Sequence, residues 1–282
     1  MYRIGSIFVQ ILHRSLLTAG FILLSLMGLS SSAYCADTTT IYFYNPEINT
    51  TRSVILKSTF DQYLKEQGNY QFQPVNSRET FEGLINDNHQ AIFIMSSWHF
   101  QQLKDKTIPI VTALRGIKSH DDTYRKVLVS KQSNVNLGSI TVATSGTVEY
   151  SRSILSSIYP NHSPESLLKL NILIVPKDID ALMAVGFDLA DAALTTKLSL
   201  KKISILYKNQ HQQLNILGES QPLKRLVVTH HQKQTPQHTE SVGALKQMNQ
   251  SNKGLQGLHM LGLDNWLVLD RYSNAQDRRP QQ

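Results

Sequence analysis

The sequence predicts an α/β protein built in two parts, each a mostly parallel sheet flanked by helices. Strand-like and helix-like runs alternate along the chain from residue 41 to residue 248, the pattern of repeated βαβ units. Two short runs, AIFIM at 91–95 and LADAAL at 189–194, are apolar nearly throughout, as strands covered on both faces are. Turns rich in Ser, Thr and Gly follow several of the strands, the position at which open α/β sheets hold ligands.

In order along the chain, residues 41–44 (IYFY) form a β-type run that stops at Asn45-Pro46. Residues 50–65 carry Val54, Ile55, Phe60 and Leu64 at helical spacing, and 70–75 alternate like a strand. Residues 77–85 begin with a capping Ser and place Phe81, Leu84 and Ile85 on one side, so they read as a helix. Strand 91–95 runs into the polar turn Ser96-Ser97-Trp98, and a short helix follows around 100–103. Residues 108–114 and 124–130 are strand-like, and the polar segment 115–123 between them reads as a flexible crossover between domains.

The second part repeats the alternation. Strands are expected at 140–144, 172–175 and 189–194, and helices at 148–158 and 178–185, the latter capped near Gly186. Lesser strands are expected at 203–206 and 214–217, and a stronger one at 223–229 leads back to the first part. Residues 230–239 read as a loop, 240–248 as a helix, and the polar tail from Asp270 as frayed. There is no repeat of fixed period.

The most informative passage is GSITVATSGTVEYSRSIL at 138–155, a β-branched run, a hydroxyl-rich turn and a helix pattern. That order aims the free N–H groups of a helix start, with Thr144, Ser145 and Thr147, at whatever lies beyond the strand. Such a turn suits an anion. The plainer alternative is a turn that only caps its helix.

At the amino terminus, Arg3 and Arg14 precede LLTAGFILLSLMGL and the small residues 30–33, the layout of a cleavable secretory signal over residues 1–36. Cleavage after Ala33 or Ala36, lipid modification of Cys35 and a retained anchor are the alternatives, although the apolar stretch is short for a span. With Cys35 the only cysteine, no intramolecular disulfide and no thiolate metal site can form. The net charge of +7 is spread without a dense basic run or interleaved aromatics, which argues against nucleic-acid binding.

Four passages in this order resemble the periplasmic solute-binding proteins of ABC importers, specifically the phosphate and phosphonate branch of the type 2 two-lobed fold. They are IYFYNPEIN, QFQPVNSRETFEGLINDNHQAIFIMSSWHF, YRKVLVSKQSNVNLGSITVATSGTVEYSRSIL and DIDALMAVGFDLADAALTT, and KQMNQSNKGLQGLHMLGLDNWLVLD resembles the family's terminal helix and following segment. The family's second-lobe loop is often Ser-Thr-Ser-Gly, where this chain has Thr144-Ser145-Gly146-Thr147. Either Asp188 or Asp191 matches the family's acidic position.

The resemblance implies lobe 1 at 37–116 and 224–270, lobe 2 at 117–223 and a disordered tail at 271–282, with two crossovers. It implies a ligand clasped between the lobes, with closure occurring because the ligand contacts both. Lobe 1 would offer Tyr44, Asn45, Ser96, Ser97 and Trp98. Lobe 2 would hold an oxyanion through Thr144, Ser145, Gly146 and Thr147, with Asp191 or Thr195 finishing the cage. The implied role is a monomeric periplasmic receptor delivering a small anionic solute to an inner-membrane ABC permease. The alternatives are a sensory or accessory module docking on a signalling or redox partner, and an enzyme on the same scaffold. No G-x-S-x-G, H-E-x-x-H, G-x-x-x-x-G-K-[ST] or G-x-G-x-x-G motif occurs, so neither catalysis nor a cofactor is expected. His230, His231 and His238 are metal-like in one segment, but an exposed polar loop accounts for them, and the other histidines are scattered.

Overall fold

The computed structural model describes residues 38–48, 53–106 and 108–269. The expected signal segment 1–36, the expected helix start at residue 50 and the expected frayed tail lie outside the described residues. Among those described, no helix is long and apolar enough to cross a membrane.

Two sheets carry the structure. The first contains β1 (Thr39–Tyr44), β2 (Tyr70–Pro74), β3 (Ile92–Met95), β4 (Ile110–Ile117), β12 (Val227–His231) and β13 (Asn265–Val268), in the spatial order β13-β4-β12-β3-β1-β2. The second contains β6 (Lys126–Ser130), β7 (Thr141–Thr144), β8 (Asn171–Ile174), β9 (Ala192–Thr196) and β10 (Asn215–Glu219), in the order β10-β6-β9-β7-β8. A small antiparallel ribbon of β5 (Thr123–Tyr124) and β11 (Leu223–Lys224) joins the outgoing and returning chain. This is a two-lobed, mixed α/β architecture, and its sheets are mixed rather than mostly parallel: β12 runs antiparallel to β3 and β4, β13 to β4, and β6 to β9 and β10.

Period-two alternation explains the apolar runs. Ile92 and Ile94 enter one core and Phe93 and Met95 the other, on opposite faces of the first sheet. In the second sheet, Val127 and Val129 face one core while Leu128 faces the other. Because both faces are covered at the middle of each sheet, the central strand β3 is buried throughout, while the outer strands β2 and β10 keep exposed residues.

Several elements differ from the sequence reading. The short helix expected around 100–103 spans Ser97–Asp105 and begins one residue after the cap Ser96, whose side chain accepts from His99 N. Residues 203–206 are the end of the helix Lys197–Leu206, because Thr196 caps that helix and Leu200 and Ile203 turn inward one turn apart. The segment 115–123 carries the chain from the first sheet to the second, and part of it is regular structure rather than loop. Strand β4 continues to Ile117, Lys118 and Asp121 bridge across a turn, and Asp264 accepts from Ser119 N at 2.8 Å and from Lys118 Nζ at 3.1 Å. His230 and His231 are buried residues of β12 rather than part of an exposed loop, and the helix after them starts at Pro236.

Candidate functional site

The chain enters the cleft between the sheets at the carboxyl end of β1, where residues 45–48 turn, and again at the carboxyl end of β7, where residues 145–147 turn into the helix Val148–Ile158. The two turns touch. Thr147 N donates to the Pro46 carbonyl at 2.7 Å, and a Cβ on Gly146 would stand 3.2 Å from that carbonyl and 2.7 Å from the Tyr150 ring. Any side chain at 146 would force the Tyr150 ring to shift and press on the Pro46 turn.

Beside that contact lies a linked polar cluster. Ser145 Oγ is 2.7 Å from Asp178 Oδ1 and 3.2 Å from the Glu47 carbonyl. A hydroxyl has one proton to give, and the shorter contact to the carboxylate receives it. Lys126, 2 % exposed, pairs with the same Asp178 oxygen at 2.8 Å. Thr195 Oγ1 donates to the Asp178 carbonyl at 3.0 Å. Tyr124 donates to Glu47 Oε2, and its hydroxyl lies 2.9 Å from that of Tyr150. Arg225 stacks over the Tyr124 ring at 5.4 Å.

Enclosure governs the charges. Burial raises the Glu47 carboxyl to about 7, against the lowering pull of the Tyr124 hydrogen bond and of Lys126, while Asp178 adds repulsion. Burial, and then the Glu47 charge, lift the Tyr124 and Tyr150 hydroxyls well above the usual tyrosine range. Both phenols therefore stay protonated and serve as donors. Burial lowers Arg225, opposed by the nearby acidic groups.

A second seam crosses the cleft. Trp98 Nε1 donates to Ser153 Oγ at 3.0 Å, and its ring meets Tyr150 edge to face at 5.5 Å. Arg78 pairs with Glu82 at 2.7 Å, reaches across to Glu149, and lies 5.9 Å over the Trp98 ring. Ser97 donates to the Arg225 carbonyl.

The residues singled out from the sequence divide accordingly. Asn45, Ser145, Gly146, Thr147 and Thr195 are brought to the contact between the turns. Asn45 folds its own loop by accepting from Glu47 N at 3.0 Å, and Thr147 caps its helix by accepting from Tyr150 N. Thr144 accepts from Gly146 N at 3.3 Å within the turn. Trp98 bridges the seam, Ser97 ties to Arg225, and Ser96 is buried as a helix cap. Tyr44 is buried against Phe81 and His99. Asp191 is not brought to the others. It stands before the start of β9, at the opposite end of that strand from Thr195, where Oδ2 accepts from Thr141 N at 2.8 Å.

Sequence reasoning missed Glu47, Tyr124, Lys126, Tyr150 and Asp178. A weak signal existed for Lys126, which with Arg125 opens the apolar run KVLVS, since an ammonium drawn into such a strand requires a carboxylate. Nothing local in the sequence pairs Glu47 with Tyr124.

No family model and no curated protein matches the chain. Among solved structures, the chain is similar to the binding-protein component of an ABC phosphonate transporter from Pseudomonas aeruginosa, with TM-score 0.59 and 14 % identity over 86 % of this chain and 85 % of that one. It is similar to a Xanthomonas citri protein solved bound to ATP, with TM-score 0.59 and 12 % identity over 84 % of this chain and 93 % of that one. A Prochlorococcus marinus protein solved in complex with methylphosphonate gives TM-score 0.57 and 10 % identity over 85 % of this chain and 96 % of that one. At these identities the likeness is one of fold: the chain is a two-lobed α/β protein of the periplasmic-binding-protein architecture.

Proposed function

We propose that the chain is a non-enzymatic solute receptor of the periplasm, exported by a cleaved segment at residues 1–36, that captures a small oxyanion of the phosphate or phosphonate kind between its lobes. Its closed form delivers the solute to an ABC permease in the inner membrane. The observation that carries this reading is the hydroxyl-lined helix start at 144–147, facing the first lobe across the cleft with its Thr147 N–H already bonded to an oxygen there. The neighbours described as phosphonate-transporter and methylphosphonate-binding proteins support the same solute class.

In this reading the oxyanion takes the place of the Pro46 carbonyl at Thr147 N and recruits the Ser145 hydroxyl from Asp178. Glu47 withdraws, or stays protonated beside the anion. The lobe 2 donors are Thr144, Ser145, Gly146, Thr147 and Thr195, and lobe 1 contributes Tyr44, Asn45, Ser96, Ser97 and Trp98. Asp191 keeps a supporting role through the Thr141 amide.

One observation favours a second reading, an accessory or sensory module that docks on a signalling or redox partner in its closed form. The donors of the turn are engaged by the chain's own acceptors: Thr147 N by Pro46, Gly146 N by Thr144, and Ser145 by Asp178. A thermal-shift panel of phosphate, methylphosphonate and sulfate separates the two readings. At a hundredfold excess over Kd, a bound ion adds about 2.7 kcal/mol to stability. The receptor reading expects a clear rise in Tm that Ser145→Ala abolishes. A flat panel rejects it in favour of the docking module.

A further inference from the structure

We propose that His89 and His231 form a binding site for a borderline divalent metal ion such as zinc, at the end of the first sheet remote from the cleft. His89 lies in the turn that precedes β3, and His231 is the last residue of β12. Strand β12 runs antiparallel to β3 with Val227 opposite Met95, so His231 sits four residues beyond the cleft end of the sheet, a distance of ~13 Å.

The two rings meet edge to face, with their centroids 4.2 Å apart. Nδ1 of His89 is 3.2 Å from Nδ1 of His231, with the ring planes at 75°. His231 Nε2 stands 2.6 Å from the Ile85 carbonyl. A carbonyl oxygen only accepts, so that nitrogen carries the proton, and in the neutral ring Nδ1 is left as a lone pair aimed at His89. This is the arrangement that metal-bound histidines adopt, one nitrogen on the ion and the other N–H held by a carbonyl that fixes the tautomer. With Zn–N bonds of about 2.0–2.1 Å, a nitrogen separation of 3.2 Å gives an N–Zn–N angle of about 100–105°, close to tetrahedral. An ion can take the place of the proton between the two nitrogens once that proton passes from Nδ1 of His89 to its Nε2 and the rings, edge to face at 4.2 Å, turn both lone pairs toward the metal.

The surroundings select the type of ion. The pair opens into a cavity of about 750 Å³ whose walls include Gln90, Pro109, Gln232 and Lys233 and no carboxylate. Calcium and magnesium need a shell of oxygen ligands that is not offered here, whereas imidazole suits zinc and copper. Among the described residues no group of three or more His, Cys, Asp or Glu is placed to hold a metal. The ion is therefore held by two protein nitrogens, and water from the cavity completes its shell.

The inference stands apart from the solute reading, and its test does not use the solute. The full chain is titrated calorimetrically with zinc chloride at pH 7.5, alongside His89→Ala and His259→Ala. His89 and His259 are both exposed, and His259 lies in a different helix. The expected result is one saturable zinc site in the wild type and in His259→Ala, weakened at least tenfold in His89→Ala with its Tm in the absence of metal unchanged. Absence of zinc uptake, equal affinity in His89→Ala, or equal loss in His259→Ala overturns the proposal and leaves the pair as an ordinary hydrogen bond between histidines.

Discussion

Replacing Glu47 by Gln isolates the electrostatic cost of the cleft contact. A carboxyl that ionises at about 7 rather than at the ordinary 4.5 costs about 3 kcal/mol to ionise in place. Because its folded-state value is raised, the folded protein holds the proton more tightly than the unfolded chain. The linked stability is fully present below about pH 4.5 and is lost as pH rises toward 7. Glutamine keeps the shape and stays neutral throughout. Between pH 5 and pH 8 the wild type should therefore lose ~2–3 kcal/mol that Glu47→Gln does not. For a chain of this size that corresponds to ~5–10 °C in Tm. Thermal melts of both proteins at half-unit pH steps, each referred to its own value at pH 5, give the comparison. Groups common to both proteins cancel in the difference. Two parallel curves would show that Glu47 is solvated like a surface carboxylate and would refute the reasoning.

Two other substitutions probe the framework. Gly254→Ala places a Cβ 2.1 Å from the Met248 carbonyl oxygen, a backbone atom that cannot swing aside, so denaturant unfolding should show a loss of ~3 kcal/mol or more; a change below 1 kcal/mol would contradict the close approach. Trp98→Phe removes the 3.0 Å bond to Ser153, worth about 1 kcal/mol, and should raise the ratio of open to closed lobes about fivefold, read as a larger radius of gyration by small-angle scattering. An unchanged radius in that variant, with the wild type closed, would remove Trp98 from the closure.

Elements whose identity is set by neighbours in sequence were legible before any coordinates. The helix Val148–Ile158 begins and ends where its Thr147 cap and apolar spacing place it, because the hydrogen bond that starts it is made within three residues. The strand Ile92–Met95 was equally plain, since a run covered on both faces contains no polar residue to mislead. The run 203–206 misled because ISIL reads as a strand once detached from Thr196, the cap seven residues earlier that commits it to a helix. His230 and His231 misled for the opposite reason. Their polarity argued for a loop, yet β12 is a central strand, and the Ile85 carbonyl and His89 satisfy His231 from far along the chain.

The sequence alone determined the α/β class, most of the alternation of strands and helices, the capped turn at 144–147 and the absence of an intramolecular disulfide, because each follows from local pattern or from composition. Only the tertiary structure decided which groups share the cleft. Pro46 meets Thr147, Glu47 meets Tyr124, and Lys126 meets Asp178 across separations that no periodicity encodes. Their energies depend on exclusion from water, a property of the closed assembly of both lobes and not of any one segment.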